Sequence, residues 1–252
     1  NGRFLAFHAC SDIWACGGSV ISAQSIINLP PLSNQLQQEL LFQVLEGINS
    51  ALTIQGAKLI GGHTLESRKI SEEPPSLGIE SSLIVNGTID NKECFWSKGG
   101  LKKGDQLLIS RPLGTGVIFS AFMNGQEVRP YVLDAVLQEM NKSQHQIVNH
   151  INQLEYEDPY SDIVSACTDI TGFGLLGHLS EMIESTNIDK LKMNLDPIKI
   201  ILELDKIPVY NGVIELLDKG FESTLAPSNK IFLKNIDGNK ELRFELVYRD
   251  FI

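Results

Sequence analysis

From Leu36 an apolar residue returns every four positions, at Leu40, Val44 and Ile48, and stretches that read as strand stand on both sides of this repeat. A period of four is one face of a helix. Ser33 or Asn34 can cap its start, and Gly56 is placed to end it. Before it, Val20 to Leu29 is rich in β-branched residues and closes on Pro30-Pro31. After it, Ala57 to Ile60 reads as a short strand that runs straight into Gly61-Gly62-His63-Thr64. A chain that interleaves the two periods in this way must layer helices on a sheet, which excludes a helical bundle and an all-β sandwich.

The interleaving extends over the chain. Arg3 to Ala15 reads as a helix stopped by Gly17-Gly18, Arg68 to Ser76 as an exposed loop, and Glu80 to Ile89 as a second clear strand. A boundary is expected at Ser97-Lys98-Gly99-Gly100, where glycine and lysine replace the apolar pattern. Beyond it come a strand at Gln106 to Ser110, a turn at Pro112 to Gly116, a helix at Tyr131 to Asn152 and a strand at Ile163 to Cys167. Gly172 to Glu184 starts as a loop and continues as a helix, and from Asp189 the signals weaken. The expected class is α/β (α+β) in two domains, 1–98 and 99–252, without a fixed-period repeat.

The 252 residues are 42% hydrophobic and 21% charged, enough to fill a sizeable core. A formal charge of −10 argues against a nucleic-acid partner, because duplex binding needs a basic face. An anionic ligand would instead be held by metal ions and backbone amides. No apolar run of membrane-spanning length and no signal-peptide pattern is present, so neither a membrane partner nor secretion is expected. Cys10, Cys16, Cys94 and Cys167 are scattered without Cys-x-x-Cys spacing, which points to small buried thiols in a reducing cytoplasm and to no structural zinc. The opening residues already read as helix, so the chain is expected to be a piece of something longer.

Three stretches can carry chemistry. In His8 to Gly18, Asp12 sits in an otherwise apolar helix one turn before the double glycine. A carboxylate there fits either a solvated or capping role or a metal ligand, since burial without a partner costs several kcal/mol, roughly. In Leu59 to Thr64, Gly61 and Gly62 follow a strand, and their amides can face an anion. A plain tight turn explains them equally, and His63 equally fits a buried, hydrogen-bonded role. The P-loop pattern is absent. In Ala166 to Leu179, Asp169 stands where a strand meets a glycine-rich turn, as a helix N-cap or as a carboxylate for Mg²⁺ bridged to phosphates.

Together with Arg111-Pro112-Leu113-Gly114-Thr115-Gly116-Val117, the stretches Ser11-Asp12-Ile13, Gly61-Gly62-His63-Thr64 and Thr168 to Leu179 resemble the selenophosphate synthetase family in order and spacing. That family belongs to the aminoimidazole ribonucleotide synthetase-like superfamily, with thiamine-phosphate kinase and a hydrogenase maturation factor. The resemblance covers roughly residues 3 to 225. It implies a two-domain ATP-using fold whose N-terminal domains pair across a homodimer. It also implies a reaction in which ATP, selenide and water give selenophosphate, AMP and phosphate. Carried over by position, Asp12 and Asp169 would be Mg²⁺ ligands, while Gly61, Gly62, His63 and Thr64 would line the nucleotide groove.

Departures from the family pattern accompany it. The glycine-rich segment with a reactive Cys or selenocysteine and a lysine has no counterpart, nor have the further aspartates expected before Arg3 or an Asp-Pro-Gln-Thr segment after Ile252. His8 stands where Asn is usual, and Cys16 where Met is common. The N-terminal domain is therefore expected to be truncated, the catalytic Cys or selenocysteine and Lys to lie upstream of residue 1, and this stretch alone to make no selenophosphate. Rival readings are another ATP-using member with a different acceptor, or an inactive ATP-binding and dimerisation domain.

Overall fold

β1 (Ser19–Leu29) is the centre of a three-stranded sheet in the order β2–β1–β3. The computed structural model describes residues 2–67, 78–89, 95–157 and 163–235; Cys94 and the loop expected at Arg68 to Ser76 lie outside them. The described chain forms two compact units, Asn1–Phe95 with Met140–Ile163, and Trp96–Glu139 with Val164–Ile252.

In the first unit, α1 (Gly2–Ala15) precedes β1, and α2 (Asn34–Thr53) connects it to β2 (Lys58–Glu66), which pairs with β1 in parallel. A parallel neighbour needs such a crossover. β3 (Glu80–Thr88) pairs antiparallel on the other side of β1. Ala23, Ser25, Ile27 and Leu29 alternate onto the buried face of β1, as a period of two requires. There they meet Ala6, Phe7, Cys10 and Trp14 of α1 and Val44, Ile48, Ala51 and Leu52 of α2. The four-residue repeat is thus buried at Val44 and Ile48, while Leu36, on the first turn, is 53% exposed. The Trp14 indole donates to Gln55 Oε1 at 3.1 Å, satisfying a polar group inside this core. Gly17 ends α1 in the left-handed region, φ 74, and Gly17 and Gly18 donate to Trp14 and Ile13 carbonyls.

The tight turn, one of the two readings of Gly61 to Thr64, is not formed: β2 runs straight through the segment. Gly61, Gly62, His63 and Thr64 face Gln24, Ser25, Ile26 and Ile27 in the ladder, and a bulge at Ile60 shifts the register between Ala23 and Gln24. A glycine pair is compatible with a strand where a neighbouring backbone comes close. Gly62 meets that condition, for a side chain there would collide with Ser25.

The helix expected over Tyr131 to Asn152 is two helices, α4 (Pro130–Met140) and α5 (His145–Glu157), with α3 (Thr115–Met123) before them. Ser143 Oγ accepts the His145 N–H at 3.2 Å, so the break carries its own local hydrogen bond. α5 belongs to the first unit, where Asn152 Nδ2 donates to the Gly17 carbonyl at 2.8 Å.

In the second unit, α6 (Gly174–Lys192) buries Leu175, Leu179 and Met182 against Leu101 and Leu113, with Ile109, Ala166 and Ile170 packed around them. The buried Thr186 hydroxyl on α6 accepts the N–H groups of Gly100 and Leu101 and donates to the Met182 carbonyl. Strands expected at Gln106 to Ser110 and Ile163 to Cys167 are not formed. The alternation is still there, with Leu108 94% exposed and Ile109 packed inward, but neither segment pairs in a ladder among the described residues. One parallel bridge, Leu113 to Val209, is what pairing this unit has among the described residues. α7 (Val213–Asp218) and α8 (Ala226–Asn229) follow.

Candidate nucleotide and metal-binding residues

Asp12 lies on the side of α1 away from its buried residues, exposed on the same face as His8, four positions earlier. The apolar setting read from the sequence is the opposite face of the helix. Its neighbour Ile13 packs over Gly18 and Gly87, which places this last turn of α1 by the start of β1 and the end of β3. Gly61 pairs with Gln24, five residues further along β1, about 16 Å of strand. The Gly61 to Thr64 segment is exposed, and His63 stands opposite Ile26 on the face of the sheet that α1 and α2 leave uncovered. His63 is therefore not a buried histidine. In a parallel ladder alternate residues turn their N–H and C=O groups toward the neighbour. Part of this segment's amides is committed to β1 and part faces the outer side.

Asp169 belongs to the second unit and is half-buried. It does not cap α6, whose N-cap is Phe173 with no side-chain cap bond. Instead it sits in an irregular turn with dense local bonding. Cys167 N–H reaches the Ser97 carbonyl at 2.9 Å, Thr168 Oγ1 the Asp169 carbonyl at 3.1 Å, and Gly174 N–H the Thr171 carbonyl at 2.9 Å. Two side chains hold the turn from outside: His178 Nε2 accepts the Thr171 N–H at 3.0 Å, and Asn229 Nδ2 donates to the Gly172 carbonyl at 3.0 Å. Burial pulls the His178 imidazole below its ordinary pKa, against the opposing pull of the Asp169 and Glu181 carboxylates. Glu181 is in turn held below the usual carboxylate range by the hydrogen bond from Lys98 at 2.7 Å.

The candidates thus fall into three places: the end of α1, the outer strand β2, and the turn before α6. Among the described residues no three His, Cys, Asp or Glu side chains cluster as a metal site. One or two carboxylates from the protein suit Mg²⁺, which keeps waters and phosphate oxygens for its other positions. Hard carboxylate oxygens, exposed at Asp12 and half-buried at Asp169, fit that donor class. The Lys98–Glu181–His178 group is not foreseen from the sequence as part of a site, although His178 and Glu181 stand at the i, i+3 spacing of one helix face. None of the described helices is long and apolar enough to cross a membrane.

Residues 2–81 match the AIR synthase related protein N-terminal domain, and residues 102–223 match the corresponding C-terminal domain. The chain is 30% identical to a selenide, water dikinase of Clostridioides difficile over 87% of its length and 54% of that protein's. It is 32% identical to one of Caldanaerobacter subterraneus (92% and 58%) and 29% to one of Bdellovibrio bacteriovorus (98% and 63%). It thus spans little more than half the length of the curated relatives it matches. Two solved structures share the fold. Thiamine monophosphate kinase from Aquifex aeolicus has a TM-score of 0.61 at 19% identity, covering 89% of this chain and 66% of that one. The hydrogenase maturation protein HypE has 0.52 at 14%, covering 91% and 69%. With its N- and C-terminal domains matched in order along one chain, this protein belongs to the AIR synthase related family and has that family's α/β fold.

Proposed function

We propose that this chain is part of a selenophosphate synthetase, an ATP-dependent phosphotransferase that converts ATP, selenide and water to selenophosphate, AMP and phosphate. The observation that carries the reading is the repeated similarity, 28 to 32% over most of the chain, to proteins named selenide, water dikinase. Use of ATP is further supported by two solved neighbours, one a thiamine monophosphate kinase holding AMPPCP and the other HypE holding ATP.

In this reading Asp12 and Asp169 are ligands of Mg²⁺ ions, which, when bound, neutralise charge on the ATP phosphates. Asp12, solvated on α1, meets a cation without a burial cost, and the half-buried Asp169 sits in a turn bonded on both sides of it. Gly61, Gly62, His63 and Thr64 line the nucleotide groove through strand amides, which carry no net charge and so suit a chain of formal charge −10. The protein acts as a homodimer in the cytoplasm. Its pairing surface is the uncovered face of the β2–β1–β3 sheet, where Ile26, Leu65 and Ile84 are 43%, 44% and 54% exposed.

The test is phosphorus NMR of the full-length protein with ATP, Mg²⁺ and selenide. Selenophosphate and AMP are expected from the wild type. Loss of both, at least about 100-fold, is expected from Asp12→Asn and Asp169→Asn with melting temperatures unchanged. ATP consumption that does not depend on selenide would favour a different acceptor, and near wild-type turnover by the variants would remove the two residues from the site.

A further inference from the structure

His178 is 5% exposed, and its ring is the point where the Asp169 turn is tied to α6. Its hydrogen bonds dictate its tautomer. A backbone N–H can only donate, so the Nε2 that meets the Thr171 N–H at 3.0 Å must carry a lone pair. The neutral ring then bears its proton on Nδ1. That atom is buried and makes no hydrogen bond, but Glu181 Oε2 lies 3.6 Å from it. Glu181 is fixed by Lys98 Nζ at 2.7 Å, so a carboxylate oxygen held in place stands on the protonated side of the ring. The Thr171 hydroxyl lies 3.2 Å from the same Nε2. Lys98, Glu181, His178 and Thr171 therefore form one line of polar contacts, ending two residues from Asp169.

We propose that His178 is a positioning residue: held in the Nδ1–H form beside Glu181, it pins the Thr171 amide and so fixes the turn that presents the Asp169 carboxylate to Mg²⁺. This rests on the reading of Asp169 as a Mg²⁺ ligand given above. On an irregular turn the backbone direction is set by individual hydrogen bonds, and the acceptor reaching in from α6 is one of those that set it. Groups behind a metal ligand commonly change metal affinity about 10- to 100-fold when removed.

The test compares three variants of the full-length protein. In His178→Gln the side-chain oxygen can reach the place of Nε2, in His178→Asn it stops short, and His178→Leu has no acceptor. Hydrogen exchange of residues 168–174, measured without nucleotide or metal, reads the pin alone. Protection at Thr171 is expected to be lost in the Asn and Leu variants and retained in Gln. The Mg²⁺ concentration for half-maximal AMP formation reads the consequence. It should rise about 10- to 100-fold in Asn and Leu and be recovered in large part by Gln. Unchanged Thr171 protection in the Asn variant overturns the proposal, as does a Gln variant no better than Asn in Mg²⁺ dependence. If exchange follows the expected order while the wild type shows no Mg²⁺-dependent turnover, the pin stands, and what falls is its link to the metal together with the assignment of Asp169. Should the Leu variant not fold, the Asn and Gln pair decides alone.

Discussion

Gly62→Ala should unfold the first unit at a markedly lower temperature, whereas Gly61→Ala should not. Gly62 pairs with Ser25, a residue 4% exposed at the centre of β1. A Cβ on Gly62 would overlap the Ser25 carbonyl oxygen, and would stand 2.8 Å from its Oγ and 2.9 Å from its N. Its φ of 156 is also one that a side chain rarely adopts. Because the obstacle is backbone, no rotamer change relieves it, and β2 must move away from β1 by about 1 Å, which takes ladder bonds of the ordinary length of about 2.9 Å past useful length. Overpacking of this kind costs about 1–3 kcal/mol, and each ladder bond lost adds about 1 kcal/mol. The sum is about 3 kcal/mol. In a unit of this size that lowers the melting temperature by roughly 10–20 °C. A methyl group added at Gly61 would meet nothing within 4 Å, so that substitution should stay within about 0.5 kcal/mol. Calorimetry with circular dichroism at the helix minimum measures both. A Gly62→Ala protein melting within about 2 °C of wild type would refute the close-approach argument, as would a Gly61→Ala protein that falls as far.

Burial raises the Cys10 thiol to about 11, against the lowering pull of the Gln55 hydrogen bond. The stability this contributes is fully present below the unfolded thiol's pKa and is lost as pH rises through about 11, by about 1.4 kcal/mol for each pH step between the two values. Cys10→Ala should flatten that alkaline loss in denaturant titrations; an identical loss in the variant would sink the assignment. Mass-resolved labelling of the native protein near pH 8 should reach Cys16 and Cys167, both part-exposed, well before Cys10. For assembly, light scattering of the full-length protein should give twice the chain mass at micromolar concentration, and Ile26→Lys with Ile84→Lys should halve it. A wild-type monomer under those conditions would remove the uncovered sheet face as a pairing surface.

What is legible in the sequence follows from where each signal is stored. α2 is readable because its repeat is long and its ends are marked, and the packing confirms it at Val44 and Ile48. Its first turn promises more than the fold delivers, since Leu36 keeps the period but has no surface to cover it. The single helix expected from Tyr131 to Asn152 fails for a related reason. Val132 and Val136 keep one phase and Val148 another, and at the break between them the Ser143 hydroxyl accepts the His145 N–H. Strands at Gln106 to Ser110 and Ile163 to Cys167 show the limit of alternation as a signal. It reports which side chains face a core, as Ile109 and Ala166 do, but a ladder also needs a neighbour, which a local pattern does not encode.

The site divides along the same line. Side-chain types are legible, so Asp12, Asp169 and the Gly61 to Thr64 segment stand out, and the motif order leads to the family that the domain matches show. Their surroundings are not legible. Asp12 reads as a carboxylate in an apolar helix, yet helical geometry turns it away from Cys10 and Trp14 into solvent, and the cost of burying it never arises. Gly61-Gly62 reads as a turn because glycine frees the backbone, yet at Gly62 its use is the missing Cβ opposite Ser25. The turn that carries Asp169 is bonded through Thr171 to a ring seven residues beyond Thr171, and that ring stands beside a carboxylate paired with a lysine far earlier in the chain. Glycine and carboxylate positions carry a site's chemistry in the local sequence. The groups that aim them are brought together only by packing, so they are the ones a reading of the sequence misses.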